Sequence, residues 1–534
     1  MILRPVEYKS IGRNFCFYQN IFLSLMDILQ SLCMTMRLLK TSVLFALLTF
    51  VWTSCQKDEV FVAEDVDIEE VSVRPAGTLV SYDLVSTKGV QQACDEALQL
   101  LSEQTGGLLE AVQVDSPSLL NTFGMIRLVI DIPEELEEVI DAVANIDTRL
   151  EVRTYRINYT SVAGSEGNEP ATLSAYVAYM ADKKDEIERR LEAVSLFHSG
   201  FNTSFDDVTA FSNFIVPIRS AYNNLVVYPF YSGVGADLGK HDVTPSEMLI
   251  KARQAIDAEV AALQLVQELD KVTMKCNYNT VNMGTSNGGG VSVATQYLLE
   301  TDDEYKAINK EYVHLGSTYC CEGALNYANC FAPIMSEARS KDGFSLSGLT
   351  PESMKPSMYL SVVTSSYDTW KDVYFNENVT LEDFFKPEFL QTPAMQGGVQ
   401  YANWIECFRT GTMEQSMGGY QFVMSDIVNE GILDADGQID TGCEAVKCLF
   451  KCFDYTSSAI SRGWTPTTPL VLASSMDDEF LPFEDILEAY TDLSHNGLNL
   501  NVKLRTVPIL GHSLGVTWFF LKDILLKKYP CAII

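Results

Sequence analysis

Asn282-Met283-Gly284-Thr285-Ser286-Asn287-Gly288-Gly289-Gly290 is the stretch around which the chain is organised. A β-leaning run, Thr280-Val281-Asn282-Met283, leads into it, and an apolar run with helical spacing over 291–299 leads out. Gly284, Ser286 and Gly288 make a G-x-S-x-G pattern. A serine on a sharp strand-to-helix turn is forced into strained backbone angles, so its neighbours must be small. The turn lifts Oγ clear of the sheet. It also sets the next N–H, that of Asn287, at a helix N-terminus, where it can stabilise an oxyanion. With 32 glycines the chain can produce G-x-S-x-G by chance, and the flanking strand and helix are what single this copy out.

A second copy, Gly511-His512-Ser513-Leu514-Gly515, competes with it. Serine nucleophiles of this elbow type are followed in sequence by their acid and histidine. No histidine follows Ser513, so the second copy reads as the loop that delivers His512.

At 534 residues the chain suits a large enzyme with insertions. A hydrophobic fraction of 47% allows a substantial core. The formal charge of −33 argues against nucleic acid as a partner, because phosphate binding needs clustered Lys and Arg.

The amino terminus carries an address. Arg37 and Lys40 precede an apolar run over 42–52, which ends in Thr53-Ser54-Cys55. That is a basic region, a short hydrophobic region and small residues at a cleavage point. The run is too short for a comfortable membrane span. It resembles a bacterial lipoprotein signal with Cys55 as the acylated residue, although Trp52 departs from the usual box; the alternative is an ordinary secretory signal. Both imply export. The lipoprotein reading implies an outer-membrane protein, possible surface exposure and a membrane partner through the anchor. Met34 or Met36 is the natural start of such a signal, so residues 1–35 are expected to be a gene-start artefact within a signal region of 1–54. Residues 55–80, with Glu64-Asp65-Val66-Asp67-Ile68-Glu69-Glu70, read as an acidic solvated tether.

Cys320, Cys321 and Cys330 form one cysteine group, and Cys443, Cys448 and Cys452 another. No C-x-x-C pair appears and histidines are scarce, so no metal site is expected, and buried thiols or disulfides are the reading. Asp434-Ala435-Asp436-Gly437 lacks calcium-loop spacing and reads as a turn.

Residues 87–145 read as helical, and a small helical subdomain is expected over 81–149. From Leu150 the pattern alternates: 151–159 and 171–179 form a hairpin, with Gly164 and Gly167 between them. Ala193-Val194-Ser195-Leu196-Phe197-His198-Ser199-Gly200 is a short apolar strand ending in His-Ser-Gly. Another such stretch follows over 224–235, then a long amphipathic helix over about 245–269, and then the serine turn. Strands alternating with helices imply parallel β-α units.

The His198-to-Gly200 strand end, the Pro229-x-Tyr231-x-Gly233-x-Gly235 loop and the Ser286 elbow, in that order, resemble the α/β-hydrolase fold. Among its branches they resemble the secretory lipase-type esterases. The resemblance covers about 150–534, with one departure: Phe230 stands where that branch usually carries Asp. It implies a mostly parallel sheet flanked by helices. His314-Leu315-Gly316-Ser317 is read as the end of a sixth strand, and a helical cap is expected over about 335–455, including helix over 381–390.

The sheet is expected to resume at 469–475 and run into Asp477-Asp478-Glu479-Phe480-Leu481-Pro482, which is similar to the family's acid loop. That register selects Asp478 over Asp477. A last strand over 502–507 runs to His512. Ser286, Asp478 and His512 thus occur in triad order, the carboxylate orienting the imidazole that takes the serine proton. The oxyanion donors expected are the N–H groups of Asn287 and Gly200. His198 is expected to shape the oxyanion loop, and His241, His314 and His495 to stand outside the chemistry. The reading is a serine hydrolase of carboxylic esters, with a small-molecule ester or lipid substrate and no cofactor. A serine peptidase of the same fold and a non-catalytic ligand-binding lipoprotein are the alternatives.

Overall fold

The computed structural model describes residues 77–89, 92, 149–163, 169–198, 219, 223–237, 240–241, 247–336, 351–391, 424–456, 463–478, 481–507 and 519. The expected hairpin is β2 (Leu150–Ala163) and β3 (Glu169–Asp182), paired antiparallel from Leu150↔Asp182 to Ala163↔Glu169. Tyr155, Ile157, Tyr159 and Ala163 are buried, with less buried residues among them, as one face of a pleated strand requires.

Five further strands are buried along all or most of their length: β5 (Ala193–His198), β6 (Asn224–Pro229), β8 (Thr280–Thr285), β9 (Leu315–Cys321) and β10 (Leu470–Ser475). Continuous burial is what a parallel sheet covered by helices demands. With β11 (Val502–Val507) at one edge and β1 (Leu79–Gly89) at the other, the order is β1-β2-β3-β6-β5-β8-β9-β10-β11. β1, β2, β3 and β6 pair antiparallel, and every pairing from β6 to β11 is parallel. A short parallel pair, β4 (Arg189–Leu191) with β7 (Val272–Met274), lies apart from this sheet.

The chain steps from β5 outward to β6, then returns across β5 to β8. Strand order therefore reverses at β5 and β8, and the crevice outside the carboxyl ends of strands at such a reversal is where open α/β sheets bind ligands. Two helices pack beside it, α1 (Met248–Glu268) and α2 (Asn287–Thr301). α3 (Tyr327–Ser336) follows β9, while α4 (Pro351–Trp370) and α5 (Glu444–Thr456) lie between β9 and β10 in sequence and pack on α3. α6 (Phe483–Leu493) covers β10 and β11. Among the described residues, no helix is long and apolar enough to cross a membrane.

Three expectations change. Residues 79–89 are a strand on β2, so the sheet starts before residue 150 and the helical subdomain does not begin at 81. The rest of that stretch, apart from residue 92, lies outside the described residues up to 149. His314-Leu315-Gly316-Ser317 is where a strand begins rather than ends: His314 turns the chain at φ 51° and β9 runs on to Cys321. The helix read over 381–390 is two short ones, Leu381–Phe384 and Pro387–Leu390, divided where Phe385 bridges to Val428 ahead of Pro387. Asp434 does make the expected turn, its Oδ1 accepting from Asp436 and Gln438 N–H.

Candidate active site

Ser286 joins β8 to α2 at φ 53° and ψ −125°. A non-glycine residue there carries strain on the order of 1–3 kcal/mol, which the surrounding structure must hold in place. The Ser286 N–H donates to Cys321 O at 2.9 Å, and Gly289 N–H donates back to Ser286 O at 2.9 Å. A Cβ on Gly284 would lie 1.9 Å from Gly288 O, and one on Gly290 would lie 2.4 Å from Ala324 O. The glycines of the elbow therefore answer to close backbone approach on both sides of the serine.

Asn287, the residue after the serine, is buried at the first turn of α2. Its side chain is held twice. Lys251 Nζ on α1 donates to Oδ1 at 3.2 Å, and Nδ2 donates to the Tyr327 hydroxyl on α3. Lys251 is itself buried and lies 5.6 Å over the Tyr231 ring, so burial lowers its pKa to about 8 against the opposing effect of Glu247. Tyr327 stacks on Phe331 and meets Phe453 of α5 at 5.8 Å, which links the elements between β9 and β10 to the elbow.

His198 closes β5 opposite Gly284 of β8. Its Nε2 lies 2.7 Å from Asn282 Oδ1 and its Nδ1 2.8 Å from the Tyr231 hydroxyl. The Asn282 amide nitrogen already donates to Ser292 O and to Thr318 Oγ1, so Oδ1 is the acceptor and the proton sits on Nε2. Tyr231 then donates to Nδ1. Burial lowers the imidazole to about 4, and the ring is a neutral tie between strands. His241 bonds Asp237 at 2.9 Å, His314 meets the edge of Tyr278, and His495 bonds Thr465 at 2.6 Å. Phe230, where the resemblance leads one to expect an acid, is buried against Tyr176 and Tyr228 with ring centroids 5.2 and 5.9 Å away.

At the end of β10 the two adjacent aspartates separate. Asp477 is exposed and accepts from Ser475 Oγ at 3.0 Å. Asp478 is buried and accepts from Leu481 N–H at 2.8 Å. Its charge acts on Glu322, the residue that follows β9 at φ 47°. Glu322 is fully buried: Oε1 accepts from Ser475 N–H at 2.7 Å and Oε2 from Ser474 Oγ at 3.1 Å. Burial first, and the Asp478 charge second, push its carboxyl up to about 10. The carboxyl ends of β8, β9 and β10 thus carry a strained serine, a buried glutamate and an aspartate in adjacent positions.

Glu322, Lys251 and Tyr327 did not emerge from the sequence. For Glu322 a signal was present: Ser317-Thr318-Tyr319-Cys320-Cys321 continues as strand and stops at Glu322-Gly323, the usual shape of a functional strand end. Lys251 looks like any helical lysine. Gly200 and His512 lie outside the described residues, as does Cys55. Among the described residues no group of His, Cys, Asp or Glu is placed to hold a metal ion.

No protein-family model matches the chain, and none of the curated proteins matches it. Solved structures do. The rice cell wall degrading esterase LipA from Xanthomonas oryzae matches with a TM-score of 0.55 at 15% identity, covering 85% of this chain and 97% of that one. A ligand-bound form of the same esterase gives 0.53 at 16%, covering 85% and 96%. A protein of Legionella pneumophila described as a hydrolase gives 0.54 at 15%, covering 85% and 99%. The chain therefore has the α/β-hydrolase fold, with a mostly parallel central sheet flanked by helices. Identities this low speak to the fold, and the chemistry rests on the site.

Proposed function

We propose that the chain is a serine hydrolase that cleaves carboxylic esters through Ser286, Asp478 and His512. The observation that carries this reading is the backbone of Ser286, held at φ 53° on a turn between strand and helix at the point where strand order reverses. Strain of this kind persists where a nucleophile must be presented. Ser286 Oγ attacks the ester carbonyl, and its proton passes to the His512 imidazole. The alcohol leaves with that proton, and water then hydrolyses the acyl-enzyme by the same route.

Asp478, two strands from Ser286 and thus roughly 10 Å away across the sheet, orients and charge-balances the imidazole. β11 ends at Val507 on the same sheet edge, paired with Ser475 of β10. Five residues reach at most about 17 Å, enough for His512 to bridge the serine and the acid. The oxyanion donors proposed are the N–H groups of Asn287, in the first turn of α2, and Gly200, two residues beyond His198 and its partner Gly284. The reaction calls on no cofactor.

We place the substrate among small esters or lipids, entering beneath the elements between β9 and β10, which act as a cap. The buried tie from Phe453 through Tyr327 to Asn287 supports this, because it joins those elements to the oxyanion side of the site. The chain is further proposed to be an exported lipoprotein of the outer membrane, anchored through acylated Cys55. A fatty-acid analogue fed to the producing cells should label the wild type and not Cys55→Ala.

Purified protein offered a series of p-nitrophenyl esters and matched peptide anilides tests the reaction class. Turnover of esters with little or no turnover of anilides is the expected result. Anilide cleavage at comparable kcat/KM would make the chain a peptidase of this fold, and activity toward neither would make it a binding protein.

A further inference from the structure

We infer that Glu322 is a positioning residue that holds Asp478 through one shared proton, so that the pair works as a single acid with a single negative charge. This rests on the reading of Asp478 as the acid of the triad. Geometry carries the inference. The two side chains come from adjacent, paired strand ends, Glu322 after β9 and Asp478 after β10, both buried, and the Glu322 carboxyl is seated on Ser474 and Ser475 at the end of the strand that Asp478 follows. Two facing carboxylates cannot both be ionised at short range without a cation between them. Among the described residues, the groups that face Glu322 supply none. From β10 come Ser474 and Ser475, from β9 Cys320, and from the β10–α6 connection Asp478. Asp485 of α6 adds its charge to the neighbouring Cys320, and Asp477 turns away to Ser475.

The donor inventory says which carboxyl keeps the proton. Asp478 accepts from the Leu481 N–H, as an ionised carboxylate at a loop does, and lies nearer solvent. Glu322 is sealed from water and carries the raised pKa of about 10. Its two oxygens accept from Ser475 N–H and Ser474 Oγ, which fixes the carboxyl plane. The remaining proton points to Asp478. Glu322 is also pinned through its backbone, its N–H donating to Ala473 O at 2.8 Å. A rigid neutral acid of this kind fixes the Asp478 carboxylate for the imidazole and spreads its charge through a charge-assisted bond.

Gln is the mimic of a protonated Glu, because its amide nitrogen donates permanently where the acid donates only below its pKa. The Ser474 hydroxyl can accommodate the swap by donating to Ser475 O, from which it lies 3.2 Å. Three forms decide the matter: wild type, E322Q and E322A.

The first readout needs no catalysis. The infrared difference spectrum of wild type minus E322Q at pH 7 should contain the carbonyl stretch of a protonated carboxylic acid, and that band should vanish as pH rises past about 10. Absence of the band overturns the inference whatever the enzyme does. The second readout is the pH profile of ester hydrolysis. E322Q should keep kcat within about threefold of wild type and extend the alkaline side, since it has no proton to lose there. E322A should lose on the order of 10²-fold in kcat with KM nearly unchanged, as a misplaced catalytic group does. E322A with wild-type kcat and an unshifted profile overturns the positioning role. A wild type that shows the band but turns over no ester contradicts the functional reading and leaves the shared proton established.

Discussion

Lys251 Nζ lies 3.2 Å from Asn287 Oδ1, so a buried ammonium grips the residue that follows the candidate nucleophile. A buried charge is costly unless partnered, and its partners here include an amide oxygen, the face of Tyr231 and the field of Glu247. Asn287→Asp is the informative change. The new carboxylate keeps the shape and pairs with Lys251, so the fold should survive. It also places a negative charge beside the developing oxyanion, and kcat should fall on the order of 10²-fold. Steady-state kinetics beside a thermal melt checks this. An unchanged kcat would mean that Asn287 stands away from the oxyanion.

Gly284→Ala tests the elbow as a structural device. The added Cβ would meet Gly288 O at 1.9 Å and Gly289 N at 2.9 Å, backbone atoms with no flexible end to yield. The expected cost is roughly 3 kcal/mol or more, at the severe end of single substitutions. Thermal or denaturant unfolding against wild type measures it, and a shift of under 1 kcal/mol would show that the turn is looser than drawn.

Glu259 on α1 is fully buried against Thr280, whose single hydroxyl proton already has the Val313 carbonyl at 2.7 Å. A neutral Glu259 donating to Thr280 satisfies both, in keeping with burial raising its pKa to about 8. The sign follows from that direction. A carboxyl whose folded pKa exceeds its unfolded value of 4.5 stabilises the fold fully below pH 4.5. Its contribution is lost as pH climbs from there through about 8, at about 1.4 kcal/mol per unit for one proton. Asp257, raised to about 7 by burial, acts in the same direction. Glu259→Gln should therefore flatten the fall in melting temperature between pH 5 and pH 8. A slope as steep as wild type would mean that Glu259 is ionised in the folded chain.

Asp477→Asn and Asp478→Asn separate two adjacent acids. Asp477 is exposed and bonded to Ser475, whereas Asp478 is buried beside Glu322. Loss of the triad acid typically costs about 10⁴-fold in kcat, and that loss is expected for Asp478→Asn alone. The reverse ranking would move the acid by one residue.

Much of this was legible in the sequence, for physical reasons that differ by element. The long apolar strands at 193–198 and 470–475 and the alternating hairpin at 150–182 announce themselves, because burial on one or two faces dictates residue type directly. The elbow was legible because a backbone that tight admits only glycine at 284. Glu322 was hidden by a misplaced strand: His314 looks like an ending, yet the left-handed turn there opens β9. Lys251 was hidden because helical spacing does not reveal that α1 is enclosed on nearly all sides, its lysine included. The N-terminal strand at 79–89 was missed because its residues, Val80, Tyr82 and Leu84 among them, are exposed at a sheet edge, where hydrophobic pattern carries little information.

The central claim is that Ser286 is an activated nucleophile, and covalent labelling measures this most directly. Wild type, Ser286→Ala and Ser513→Ala, each treated with a fluorophosphonate and analysed by intact mass and peptide mapping, give the answer. The account predicts one adduct per chain in wild type and in Ser513→Ala, mapped to the peptide holding Ser286, and none in Ser286→Ala. An adduct that persists in Ser286→Ala, or a well-folded wild type that takes up no label, would contradict it.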